Sequence, residues 1–212
     1  MDVKRDARCF LPTAAAIGLC IFGLFAHCGM SLVPLSALGL AVAAVAIGRD
    51  IAAANSPASL LGLAYTKHST AAFVAVGLVV GGLLAVAYRW RLGWTPTGQV
   101  RPFALLAILI GSTEELVYRG YIQGQLAPLG PARAVVLASL AHALYKCTLF
   151  VFSPAGVRTG VVFLAVCTFL GGLLFGSLRH FSKSATPPVV AHAVFDLIAY
   201  GDRAQAPWWV WS

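Results

Sequence analysis

The chain has 212 residues, of which 59% are hydrophobic and only 10% are charged, against roughly 25% charged in soluble domains. That balance excludes a water-soluble globular protein and describes an integral membrane protein with one membrane domain and no sizeable soluble module. The formal net charge of +8 is read as Lys and Arg flanking membrane spans and meeting the head groups of membrane lipids, with no nucleic-acid partner implied.

A spanning helix needs about 20 apolar residues. Taken in chain order, segments 10–29, 31–48, 70–88, 102–122, 132–152, 158–179 and 186–201 reach or approach that length. The expected fold class is therefore all-α, a polytopic transmembrane helical bundle of about seven spans, with an eighth element left open within 49–69. The N-terminal Lys4, Arg5 and Arg8 precede an apolar run as in a signal sequence. No small-residue cleavage site closes the run, so residues 10–29 are read as a retained first span. The stretch 49–69 holds Asn55-Ser56-Pro57 and then Leu60-Leu61-Gly62-Leu63-Ala64-Tyr65, the pattern of a loop with an interfacial helix. Residues 89–101 are a basic connector with Arg89, Trp90, Arg91, Trp94 and Arg101. Both it and the terminal Trp208-Trp209-Val210-Trp211 read as interface anchors. The last span opens at Pro187-Pro188, and proline is well tolerated at a helix start. Small pairs, Gly81-Gly82 and Gly171-Gly172, permit close helix approach. Cys9, Cys20, Cys28, Cys147 and Cys167 are odd in number and lack a CxxC pair; they read as small buried hydrophobes, not as a disulfide framework.

With the N-terminus cytoplasmic, that side collects Lys4, Arg5, Arg8, Arg49, Lys67, Arg133, Arg179 and Lys183. The opposite side collects Arg89, Arg91, Arg101, Arg158 and Arg203. Eight against five favours a cytoplasmic N-terminus, in a multi-pass protein of the cell membrane.

The glutamates carry the functional signal. There are only two, Glu114 and Glu115, adjacent and inside an apolar span. Holding a carboxylate at the bilayer centre costs about 2.5–3.5 kcal/mol on insertion scales. Few other ionisable groups share that depth: Arg119 on the same span, His142 and Lys146 on the fifth, His192 and Asp196 on the seventh. Glu115 and Arg119 are four residues apart and share a helical face. His192 and Asp196 have the same spacing, so Asp196 can orient that imidazole. Glu114 lies about 100° around the helix from Glu115 and is free to face another neighbour. Counted along a serpentine chain, Glu114, His142 and His192 fall in one half of the bilayer. Polar groups in spans face the bundle interior or a wet cavity. Interhelical polar contacts alone average under about 1 kcal/mol, a small return for burying two acids, an arginine and two histidines.

Glu114-Glu115-Leu-Val-Tyr-Arg119-Gly120 resembles the EExxxR signature of the CAAX protease and bacteriocin-processing family of intramembrane proteases, which includes the type II CAAX prenyl endopeptidases. Ala138-Ser-Leu-Ala-His142 stands where that family has FxxxH, Gly171-Gly-Leu-Leu-Phe-Gly176 is similar to its small-residue helix, and His192-Ala-Val-Phe-Asp196 matches the closing His with Asn or Asp four residues on. Ala138 departs from the usual aromatic. The resemblance covers about residues 100–200 and extends to the myxosortase-like branch. It implies a catalytic helical core at 101–201 behind variable N-terminal spans at 1–100. It also implies an intramembrane endopeptidase acting near the C-terminus of a membrane-associated, lipidated or tail-anchored protein or peptide. Glu114 is then the general base on a water shared with His142. Arg119 pairs with Glu115, and His192 with Asp196 supplies the oxyanion or leaving-group contact.

No cofactor is expected. Zinc on Glu114, His142 and His192 is the alternative that residue types allow, although there is no HExxH. Two rival functions are a non-catalytic immunity or maturation scaffold of the same fold and a proton-coupled transporter. The transporter predicts inverted repeats and broken helices in corresponding halves, which the chain lacks.

Overall fold

The computed structural model describes residues 3–28, 30–63, 69–93, 99–151 and 155–203. The anchors at Trp94 and at Trp208, Trp209 and Trp211, with Tyr65, Lys67 and the side chain of Cys9, lie outside the described residues. Within them the chain is helical, with no strand: α1 Val3–Phe25, α2 Val33–Ala53, α3 Pro57–Leu60, α4 Ser69–Arg91, α5 Pro102–Glu115, α6 Gln123–Leu126, α7 Pro131–Thr148, α8 Ala155–Ser182 and α9 Thr186–Tyr200. A π-helical segment, Leu116–Ile122, joins α5 to α6 without a break in direction. Helices α2, α3, α5, α7 and α9 each carry proline in their first turn, where the missing N–H is an orphan in any case.

Helices thus form at all seven expected positions. Val33–Ala53, Ala71–Arg91 and Gly160–Ser182 are long and apolar enough to cross a membrane by length and composition alone. The others are shorter or carry the polar residues of the site. The open element within 49–69 proves to be the one-turn helix α3, capped by Ser56, whose hydroxyl accepts from the Ser59 N–H at 3.2 Å. Four residues are far too few to cross a bilayer.

Helix α1 packs on α2 and α7, α7 on α8, and both α4 and α5 on α9. The interfaces are built from small residues. Ala15, Ala85, Ala104, Ala138, Ala191 and Ala199 are fully buried, while Val79, Leu83, Leu105, Leu109 and Val162 are each at least 60% exposed. This is the distribution expected when lipid, not water, is the solvent and packing of small residues holds the helices together. One member of each glycine pair does the work. A methyl at Gly172 would meet atoms of the π segment and α7, and one at Gly81 would collide with the Ala191 carbonyl of α9, whereas Gly82 and Gly171 face open space. Cys20, Cys28 and Cys147 are half-buried free thiols and Cys167 is exposed.

Two charged residues, Arg89, which reads as a flanking charge, and Asp50, tie elements together. Arg89 is only 2% exposed. Its guanidinium grips Asp202 with two bonds of 2.9 Å and donates to the Ile198 and Ala199 carbonyls at 3.2 Å. It therefore satisfies the C-terminal carbonyls of α9 that lack helical partners and fastens α4 to that end. Asp50 lies inside α2, which runs beyond the expected end at residue 48. Its Oδ2 accepts from Tyr121 Oη and Gln125 Nε2, each at 2.7 Å, and so ties α2 to the π segment and α6.

Candidate active site

The site starts from a change of helical pitch. Helix α5 ends at Glu115 and the chain passes directly into the π segment. Such bulges are rare in helices and frequent at functional sites. Because α5, the π segment and α6 run on as one rod, twelve residues separate Glu114 from Pro102 and twelve from Leu126. Glu114 therefore sits at the middle of this continuous helical stretch. The helix runs past residue 122 through Gln123–Leu126. Gln123 is buried and donates to the Gly176 carbonyl at 2.8 Å.

The adjacent glutamates serve different neighbours. Glu114 faces α7: its Oε2 lies 3.2 Å from His142 Nε2 and its Oε1 lies 2.6 Å from Lys146 Nζ. On the other side of the His142 ring, Nδ1 lies 2.7 Å from Arg119 Nη1. A guanidinium can only donate. Nδ1 therefore accepts, and Nε2 carries the proton that Glu114 accepts. Tyr118 stacks flat on the same ring, with centroids 4.4 Å apart and planes 12° from parallel. This supplies the aromatic neighbour missing at Ala138, which is itself fully buried.

Glu115, wholly buried, faces Arg119 and α9. Its Oε1 forms an ion pair with Arg119 Nη1 at 3.2 Å, the expected i,i+4 pair, and accepts from His192 Nδ1 at 3.0 Å. Arg119 Nη1 thus bridges the two arms. Asp196 is looser than its spacing predicts, with Oδ2 3.9 Å from His192 Nε2, beyond hydrogen-bond reach. The imidazole is held by Glu115 instead. Two glycines make room for this arrangement. A methyl at Gly172 would lie 2.8 Å from Arg119 Nη2, and one at Gly111 would lie 2.8 Å from the His192 ring and closer still to Asp196.

All six expected residues therefore occupy one cluster spanning α5, the π segment, α7 and α9, with Asp196 at its edge. Lys146 is the member that sequence reasoning left without a role, although its i,i+4 spacing from His142 is the same signal that paired His192 with Asp196. Tyr118 and Gly111 carried no such signal, since an aromatic and a glycine in an apolar helix read as packing.

Several buried polar atoms here have no hydrogen-bond partner: Glu115 Oε2, Tyr118 Oη and Arg119 Nε. Buried polar groups are paired in the great majority of cases, and exceptions call for explanation. Reacting groups and a bound water would use them. A zinc ion does not fit this arrangement. His142 and Glu114 are neighbours, but His192 turns its Nδ1 onto Glu115, and among the described residues no three His, Cys, Asp or Glu side chains are placed to hold one ion.

A family model described as type II CAAX prenyl endopeptidase Rce1-like matches residues 96–198, the stretch that contains every residue of the cluster. No curated protein and no solved structure matches the chain.

Proposed function

We propose, from the premise that residues 96–198 belong to the Rce1-like family of type II CAAX prenyl endopeptidases, that this membrane protein is an intramembrane endopeptidase. Its substrate is a membrane-associated protein, lipidated or tail-anchored, cut near its C-terminus. The observation that carries the reading is the buried Glu114 carboxylate held against His142 at 3.2 Å. A water taken up between the two gives its proton to Glu114 while its oxygen adds to the scissile carbonyl. As the C–N bond breaks, that proton passes to the departing amine. Acid–base help of this kind is worth about 10²–10⁴ in rate. Arg119 fixes His142 from behind and Glu115 from the side. Glu115 orients His192, whose Nε2 supplies the leaving-group contact. No step is routed through a metal.

The reading places residues 101–201 as the catalytic core of a single membrane domain, in the cell membrane with a cytoplasmic N-terminus. Removing Arg89 from the flanking charges, since it is buried in the α9 clamp, strengthens the cytoplasmic bias. Labelling of single engineered cysteines with a membrane-impermeant reagent from each side checks the orientation.

The activity is tested with purified protein in nanodiscs and a panel of fluorogenic peptides, S-farnesylated near the C-terminus or tail-anchored. Wild type is expected to cleave at least one class. Glu114→Gln and His142→Ala are expected to lose at least about a thousandfold in kcat, within the range of removing a main catalytic group. Cleavage is expected to persist in a zinc chelator. Turnover that survives Glu114→Gln refutes the assigned base. Loss of activity in chelator with recovery on zinc refutes the metal-free step. Folded wild type that cleaves nothing shifts the reading to a non-catalytic scaffold.

A further inference from the structure

Lys146 belongs to none of the motifs that carry the family resemblance, yet its ammonium is the nearest charge to the assigned base. Its Nζ lies 2.6 Å from Glu114 Oε1, and its side chain is only 12% exposed. At that distance one N–H of the ammonium is directed at the carboxylate. The ammonium has three N–H donors, and no other described protein group takes the remaining two. Arg119, the other cation of the cluster, is spent on holding two side chains in place, Glu115 and His142. His142 and Lys146 are one turn apart on one face of α7 and both face Glu114. The water that Glu114 and His142 activate therefore attacks a carbonyl carbon beside Lys146.

Resting on the endopeptidase reading, we infer that Lys146 is a further catalytic residue, the donor that receives the oxyanion. As the water oxygen bonds to the carbonyl carbon, the C=O π pair moves onto the carbonyl oxygen and the water proton moves to Glu114. The new negative charge lies within reach of the uncommitted N–H groups of Lys146. On collapse that pair re-forms the C=O bond, the C–N pair leaves with nitrogen, and the proton on Glu114 passes to it. Lys146 neither gains nor loses a proton. Fixed donors aimed at developing charge in a water-poor site are among the strongest catalytic devices, and loss of one costs about 10²–10³ in kcat. In the resting state the same charge offsets Glu114.

The test uses the full chain in nanodiscs with the best-cleaved peptide, a phosphinic analogue carrying a tetrahedral anion at the scissile position, and an N-methyl amide of the same peptide that is not cut. Lys146→Met is expected to lower kcat by about 10²–10³ with KM little changed. It is expected to weaken the phosphinic analogue by a similar factor and leave the N-methyl peptide bound as in wild type. Lys146→Arg is expected to recover at least tenfold of the loss. Lys146→Gln, which keeps a donor without the charge, gives the same reading if the methionine variant does not fold. Three results overturn the inference. Wild-type kcat and analogue affinity in folded Lys146→Met or Lys146→Gln refute it alone. Equal loss of affinity for both ligands, with a lowered Tm and no recovery in Lys146→Arg, assigns Lys146 to structure. Wild type that neither cleaves the peptide nor binds the analogue refutes the endopeptidase reading itself, and this one with it.

Discussion

Among the described residues two arginines are almost completely buried, Arg89 and Arg119, and each holds a carboxylate, but they are used in opposite ways. Arg89 sits where α4 ends and grips Asp202 with two nitrogens at 2.9 Å while also serving the last carbonyls of α9. Fork-on-fork pairing of this kind is strong and directional. Arg119 sits in the π segment and makes one 3.2 Å contact to Glu115, from a nitrogen it shares with His142. It leaves Nε unpaired and Glu115 with an unpaired Oε2. The joint closes a two-point grip on one carboxylate, whereas at the site one nitrogen is shared between a carboxylate and an imidazole. The comparison separates burial that serves the fold from burial that serves chemistry, and burial alone does not distinguish them.

The comparison breaks most visibly at Arg119. Arg119→Lys keeps the charge but replaces a planar fork by a point donor that cannot reach Glu115 and His142 with the same geometry. Peptide cleavage is expected to fall by about a hundredfold, within the cost of losing preorganisation around a base, with a smaller change in Tm. Equal losses in Arg119→Lys and Arg89→Lys would erase the distinction. Next in size is Gly172→Ala. Its methyl would meet Arg119 Nη2 at 2.8 Å and Ser139 Cβ at 2.8 Å, closer than such atoms sit, so the guanidinium must shift. Roughly a tenfold fall in kcat is expected, since displacement of about 1 Å at a site costs one to two decades. Gly171→Ala, one position away and facing open space, is the control expected to stay near wild type.

At the fold end, Arg89→Met is expected to lower Tm by roughly 5 °C, about 2 kcal/mol at 2–4 °C per kcal/mol for a chain of this size. The activity of the folded fraction should stay within about threefold, a margin set by the usual independence of distant sites. Thermal unfolding in nanodiscs, read beside initial rates, checks both halves. A hundredfold loss of activity without a change in Tm would make Arg89 part of the site after all.

Much of this was legible because a bilayer makes polarity expensive. The seven helical positions followed from apolar runs, and Glu114, Glu115, Arg119, His142, His192 and Asp196 stood out as the few groups that had no reason to be there. What the sequence concealed were polar residues whose surroundings decide their meaning. Arg89 read as a flanking charge because nothing in its neighbourhood announces that Asp202, more than a hundred residues on, closes over it. Asp50 and Gln125 gave no signal of their own, and only the packing of α2 against the π segment and α6 makes them partners at 2.7 Å. The exchange of partners, with Glu115 instead of Asp196 on His192, depends on the π segment and on how α9 docks, neither of which has a period in the sequence.

The finest test of the comparison uses pH at the clamp, where water reaches Asp202. The hydrogen bonds from Arg89 hold that carboxyl down to about 2, from an ordinary value of 3.8. A group whose pKa is lowered on folding stabilises the folded state above its unfolded value, and that stability is lost as pH falls towards the folded value. The contribution of the clamp is therefore complete at pH 5 and fades between about pH 4 and 2. Solvent screening at a partly exposed pair keeps it small, on the order of 1 kcal/mol or less. Between pH 5 and 3 the wild type is expected to lose about 1–3 °C more in Tm than Asp202→Asn, which has no proton to take up there. Identical slopes for the two proteins would mean that Arg89 holds α9 through the Ile198 and Ala199 carbonyls alone, leaving Asp202 as a bystander.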